Sequence, residues 1–111
     1  MTIAREEALP RRLGLVVARA DAWPLAIGLA HAALLQRADV RIFAMDLAVA
    51  ADALTANRVA LSALVEDGVH VAFCATSLDD HQSVAPLGVE VGSQLDHARL
   101  LQWATRVVAL P

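Results

Sequence analysis

Not one lysine occurs among the 111 residues; the nine cationic side chains are all arginine and lie scattered along the chain. That absence excludes a Walker-type phosphate loop, which needs a lysine to reach the terminal phosphates. A receiver domain phosphorylated on Asp46 is excluded too, since it needs a late-strand lysine to neutralise the phosphoryl group. With a net charge of −3 and no basic stripe, the chain has nothing to neutralise a run of phosphates, so no nucleic-acid partner is expected. Cysteine occurs once, at Cys74. An intrachain disulfide and a paired-cysteine redox motif are therefore ruled out, and a reducing, cytoplasmic compartment is expected. No glycine-rich dinucleotide fingerprint is present. A cysteine-dependent phosphatase loop would need an arginine shortly after Cys74 to clamp phosphate, and Asp79 and Asp80 stand there instead.

Long apolar runs are also missing. The longest candidate, 22–35, contains His31 and is flanked by Asp21 and Gln36-Arg37. It falls short of the about 20 residues that a membrane span requires, so no membrane partner is expected. The Arg11-Arg12 pair precedes only the brief run 13–18 before Arg19 and Asp21 intervene, which does not make a secretory signal.

What the chain does have is apolar residues: 58% hydrophobic, with a mean hydropathy of +0.53. Apolar usage in soluble domains is roughly half, glycine included, and a domain this size has little interior to spare. With membrane burial excluded on length, the excess is expected at a subunit interface, which predicts a homo-oligomer. The length suits a single domain; residues 1–12 read as a flexible leader and 13–111 as the domain.

The apolar pattern alternates short continuous runs with helical stretches. Residues 13–18, 40–45 and 69–73 read as strands covered on both faces, with Cys74 at the end of the third. Between the first two, Asp21 is expected to cap a helix over 22–36, with Pro24 in its first turn. The step from first strand to second is about 27 residues, near the ~30 of a βαβ unit. Residues 46–67 are helical in pattern, with a break expected at Thr55-Ala56-Asn57 and a C-terminal cap at Gly68. Ser77-Leu78-Asp79-Asp80 and Ser93-Gln94-Leu95-Asp96 both have the form of a capping box, predicting a short helix at the first and a helix to Trp103 from the second. Residues 89–91 and 106–110 complete the strands. The fold class predicted is α/β, a three-layer α/β/α sandwich with a mainly parallel five-stranded sheet.

In such sheets the functional cleft lies at the carboxyl ends of the strands. That edge collects Ala20-Asp21, Met45-Asp46 and Cys74-Ala75-Thr76, and this placement singles out Cys74 as a nucleophile candidate. A helix opening near Ser77 would aim amides of Thr76 and Ser77 at the sulfur and stabilise a thiolate. His81, on the segment that must fold over the thiol, is the candidate proton or charge partner, and Asp46 a candidate polar contact. His31 reads as a core or interface histidine, and His97 as a solvated one beside Asp96 and Arg99. His70 shares a strand face with Cys74. No histidine stands at metal-ligand spacing with Cys74, so neither metal nor cofactor is expected. Free cysteine is among the most buried residue types, and a purely structural thiol is the alternative.

These same residues resemble the DsrE/DsrF-like family, which includes the TusD-type sulfur-relay subunits. The matching features are the buried first strand, the small-residue-rich helix Pro24 to Leu35, and Val40 to Asp46. Gly68-Val69-His70-Val71 then leads into Cys74, Gly88-Val89 follows a loop, and Ala104-Thr105-Arg106-Val107-Val108 ends the pattern. The chain departs from the family where Asp46-Leu47-Ala48 replaces an Asp-Gly-Val step and where Asp80-His81-Gln82 replaces an arginine-glycine pair. The resemblance implies trimers or hexamers in the cytoplasm, sulfane sulfur carried as a persulfide on Cys74, and sulfur donor and acceptor proteins as partners. Rival expectations are a non-catalytic subunit of the same fold, a small-ligand module in the strand-end cleft, and a redox sensor that forms a sulfenic acid.

Overall fold

The computed structural model describes residues 11–111. The expected leader lies outside the described residues as far as residue 10, while Arg12 already belongs to the first strand. The strands are β1 (Arg12–Val17), β2 (Asp39–Ala44), β3 (His70–Cys74), β4 (Glu90–Gly92) and β5 (Arg106–Leu110). The helices are α1 (Trp23–Leu35), α2 (Ala51–Glu66), α3 (Ala75–Asp80) and α4 (Gln94–Trp103), with 3-10 turns at Ala20–Ala22 and Asp46–Val49. All four strand pairings are parallel, in the order β4-β3-β2-β1-β5. The sheet is thus wholly parallel, and the α/β sandwich expected from the alternation is the observed architecture.

Strand alternation sorts the core into two layers. Leu15, Val17, Ile42, Ala44, Val71 and Phe73 face α1 and α2, where they meet Trp23, Ala26, Ala30, Leu54, Leu61 and Leu64. The intervening residues Val16, Phe43, Ala72 and Cys74 face the other way and pack with Leu100 of α4. Among the described residues, two long helices thus cover one face and the ten-residue α4 the other. Gly14 lets α4 come this close: a Cβ there would stand 2.5 Å from Leu100 Cδ2 and 3.1 Å from the Ala104 Cβ.

Three local expectations are corrected. No break interrupts α2 at Thr55-Ala56-Asn57. Thr55 Oγ1 donates to the Ala51 carbonyl at 2.9 Å and Asn57 Nδ2 to the Ala53 carbonyl at 2.8 Å, so both side chains bond back along the helix instead of diverting the backbone. The interruption comes earlier, at Ala50, whose extended backbone separates the 3-10 turn from α2. Asp21 does not cap α1. It pairs with Arg19 at 2.7 Å in an exposed ion pair, and α1 opens at Trp23 with Pro24 in its first turn. The fourth strand is shifted by one residue, to Glu90–Gly92.

Other signals behave as their chemistry dictates. Gly68 adopts φ +93 beyond the end of α2, and the amides of Gly68 and Val69 bond to the carbonyls of Val65 and Leu64. The Ser93 capping box forms in both directions, Leu95 N to Ser93 Oγ at 3.1 Å and Ser93 N to Asp96 Oδ2 at 2.7 Å. Trp23, fully buried, donates its indole N–H to the Ala48 carbonyl at 2.8 Å and ties α1 to the turn after β2.

Candidate functional site

Cys74 ends β3 on the α4 face and is only 4% exposed. Its backbone is extended, and it occupies the N-cap position of α3, which opens at Ala75. The helix therefore starts two residues before the expected capping box. Ser77 caps nothing; it is buried, and its Oγ accepts a hydrogen bond from Asp46 N at 2.9 Å. The same hydroxyl favours the thiolate of Cys74.

Burial is the largest influence on the thiol and pushes it up. It is outweighed by four neighbouring polar groups that favour the thiolate: the backbone amide of Ser77, the Ser77 hydroxyl, the Gln94 side chain and the backbone amide of Thr76. The net effect holds Cys74 below the ordinary thiol value. Gln94, first residue of α4, places Nε2 at 3.6 Å from Cys74 Sγ and 3.7 Å from Met45 Sδ. Its Oε1 lies 3.0 Å from His97 Nδ1, one helical turn on. Since the amide oxygen only accepts, the imidazole donates from Nδ1. The His97 ring stacks on Phe43, 5.2 Å between centroids and 8° from parallel.

The residues expected at the site thus divide. Thr76 and Ser77 open the helix at the thiol and favour its anionic form, Thr76 through its amide alone. Asp46 reaches the site through its backbone N–H; its carboxylate belongs to an exposed residue held at φ 53 by the turn leaving β2. His81 caps the C-terminal end of α3, its N–H bonded to the Ser77 carbonyl. Seven helical steps carry it about 10 Å along the axis from Cys74, and it is not among the groups that act on the sulfur. Asp79 and Asp80 are exposed.

Gln94 and His97 were not expected here. His97 is corrected from a solvated histidine to a half-buried one stacked on the sheet, because α4 lies flat over Phe43. His31, expected in the core or at an interface, is not in the core of the chain: it is exposed on the outer side of α1. His70 meets Glu90 of the neighbouring strand at 2.8 Å. The legible signal for the pair was the second capping box: it fixes Gln94 as the first helical residue and puts His97 at i+3 on the same side. That this helix start adjoins Cys74 depends on β4 pairing with β3, with Cys74 opposite Gly92.

No family model matches the chain, and no curated protein matches it. Chemically, the site is a thiol whose anionic form is stabilised by neutral donors from two elements. Such an arrangement favours a nucleophilic sulfur. Among the described residues no group of three or more histidine, cysteine or acidic side chains is arranged to hold a metal ion.

Proposed function

We propose that this protein is a sulfur carrier, a sulfurtransferase-like protein that holds sulfane sulfur as a persulfide on Cys74. The observation that carries the reading is the set of donors converging on one strand-end thiol, which lowers its pKa despite burial. The resemblance to the DsrE/DsrF-like family supports the same chemistry. In loading, the Cys74 thiolate attacks the outer sulfur of a donor persulfide. The new sulfur–sulfur bond forms on Cys74 as the donor's own sulfur–sulfur bond breaks and its inner sulfur leaves as thiolate. An acceptor thiolate then attacks the outer sulfur on Cys74, and Cys74 departs as thiolate. Each exchange is redox-neutral, so no resolving cysteine is needed in this chain. The donors from Ser77, Thr76 and Gln94 stabilise Cys74 both as attacking and as departing thiolate.

The proposal includes a cytoplasmic homo-oligomer, a trimer or hexamer. On α1, Trp23, Ala26 and Ala30 are buried, while Leu25 at 57% and Leu35 at 84% exposure stand on the outer side with Gly28 and Ala32. The terminal helix, α4, does not cover them, because it lies on the other face of the sheet. A second subunit is the occupant that removes this surface from water. No helix among the described residues is long and apolar enough to cross a membrane.

A second reading rests on the low exposure of Cys74: a non-catalytic subunit of an oligomer with an idle thiol. Titration of the native protein with an aromatic disulfide reagent separates the two. Modification of the folded protein at a rate comparable with an ordinary thiol supports the carrier. Modification only after unfolding supports the idle subunit.

A further inference from the structure

A cavity of about 260 Å³ opens on the α4 face, between that helix and β2, β3 and β4. Cys74 does not line it, and its interpretation does not depend on sulfur chemistry. Its floor is apolar, made by the buried side chains of Phe43, Ala72 and Leu100. Its rim carries charge of both signs, and the two signs are differently engaged. Glu90 Oε2 is met by His70 Nε2 at 2.8 Å, and Asp96 Oδ2 accepts from Ser93 N at 2.7 Å to cap α4. Both carboxylates are thus already used within the fold.

Arg41 and Arg99 line the same cavity, and their guanidiniums are not so used. The ion pairs among the described residues are Arg19–Asp21 and His70–Glu90, and neither includes them. Arg41 is nonetheless held in place: its guanidinium lies 4.2 Å from the centroid of the Trp103 ring. Stacking occupies a face of the guanidinium and leaves its in-plane N–H donors for another group. One positioned guanidinium, a second on the same rim and an apolar floor define an amphipathic anion site.

We propose that this cavity binds a small organic monocarboxylate, its carboxylate held by Arg41 and Arg99 and its carbon chain against Phe43, Ala72 and Leu100. The planar fork of a guanidinium matches a carboxylate in two parallel hydrogen bonds. The volume lies just under the ~300 Å³ at which drug-sized pockets begin, which suits a ligand of few heavy atoms. Inorganic phosphate gains nothing from an apolar floor, and Glu90 and Asp96 at the rim oppose a second negative charge.

The test is a titration followed by proton–nitrogen correlation NMR at neutral pH, with butyrate in one series and inorganic phosphate in the other. Butyrate is expected to give saturable shifts at the amides of Phe43, Ala72 and Leu100, with a millimolar Kd. Phosphate is expected to give none that saturate. Arg99→Gln and Arg41→Gln are each expected to weaken butyrate binding about tenfold, the scale of one lost charge-assisted contact. Arg99 is exposed, so Arg99→Gln reports on the site even if Arg41→Gln disturbs the Trp103 stack. Non-saturating butyrate shifts, equal saturation by phosphate, or wild-type affinity in Arg99→Gln would each overturn the assignment.

Discussion

Below its folded pKa the Cys74 thiol is protonated in both the folded and the unfolded chain and contributes nothing to the pH dependence of folding. Because the folded value is lowered, the stabilisation from this group is present in full above the unfolded value of about 8.5 and is lost as pH falls through the folded value. Urea unfolding of wild type beside Cys74→Ala is therefore expected to show a stability gap that widens with pH across that window; a gap independent of pH would contradict the lowered thiol. The donors are separable in the same terms. Gln94→Leu removes the hydrogen bond from Nε2 to sulfur and is expected to raise the midpoint of the pH profile for alkylation. His81→Ala is expected to leave that midpoint in place, since His81 is not among the groups that act on the sulfur. At Gly14 the constraint is space. Gly14→Ala forces a methyl group against Leu100 and Ala104 and is expected to cost about 1–3 kcal/mol in urea unfolding, with no cost if α4 moves freely.

The elements carry the site by where they begin and end. β3 delivers Cys74 to the sheet edge, α3 starts there with Cys74 at its N-cap, and α4 starts opposite and brings Gln94. Ser93→Ala removes the cap that holds the start of α4. It is expected to cost about 1 kcal/mol and, because Gln94 is the next residue, to raise the thiol midpoint as well. A stability loss with an unmoved midpoint would separate Gln94 from the thiol. Much of this was legible in advance. Strand and helix alternation, the Gly68 cap and the Ser93 box are local chemistry, and local chemistry determined them. The Thr55–Asn57 stretch was misread because its polar side chains resemble a turn, while the apolar face of Ala53, Leu54, Leu61 and Leu64 keeps the helix whole. Ser77 was read as a cap because its spacing to Asp80 is right. Tertiary structure recruited the hydroxyl to Asp46 instead, a partner 31 residues away. Gln94 and His97 were missed for the related reason that strand order is not written in local pattern.

At the scale of the molecule, among the described residues, the two sheet faces are unequally covered and the outer side of α1 is apolar. Burying a fully exposed leucine is worth about 1.5–3 kcal/mol, so the exposed parts of Leu25 and Leu35 contribute up to that each, repeated around a symmetric assembly. Sedimentation velocity across a dilution series is expected to show a trimer or hexamer, reduced to smaller species by Leu35→Glu; a wild-type monomer at every concentration would remove the oligomer from the account. The central claim, that Cys74 carries sulfur, is tested most directly by intact-mass spectrometry of the native protein after exposure to a persulfide donor. The account predicts a gain of one sulfur atom that reductant removes, that Cys74→Ser abolishes, and that a thiol acceptor takes up. A folded wild-type protein that gains no sulfur would contradict it.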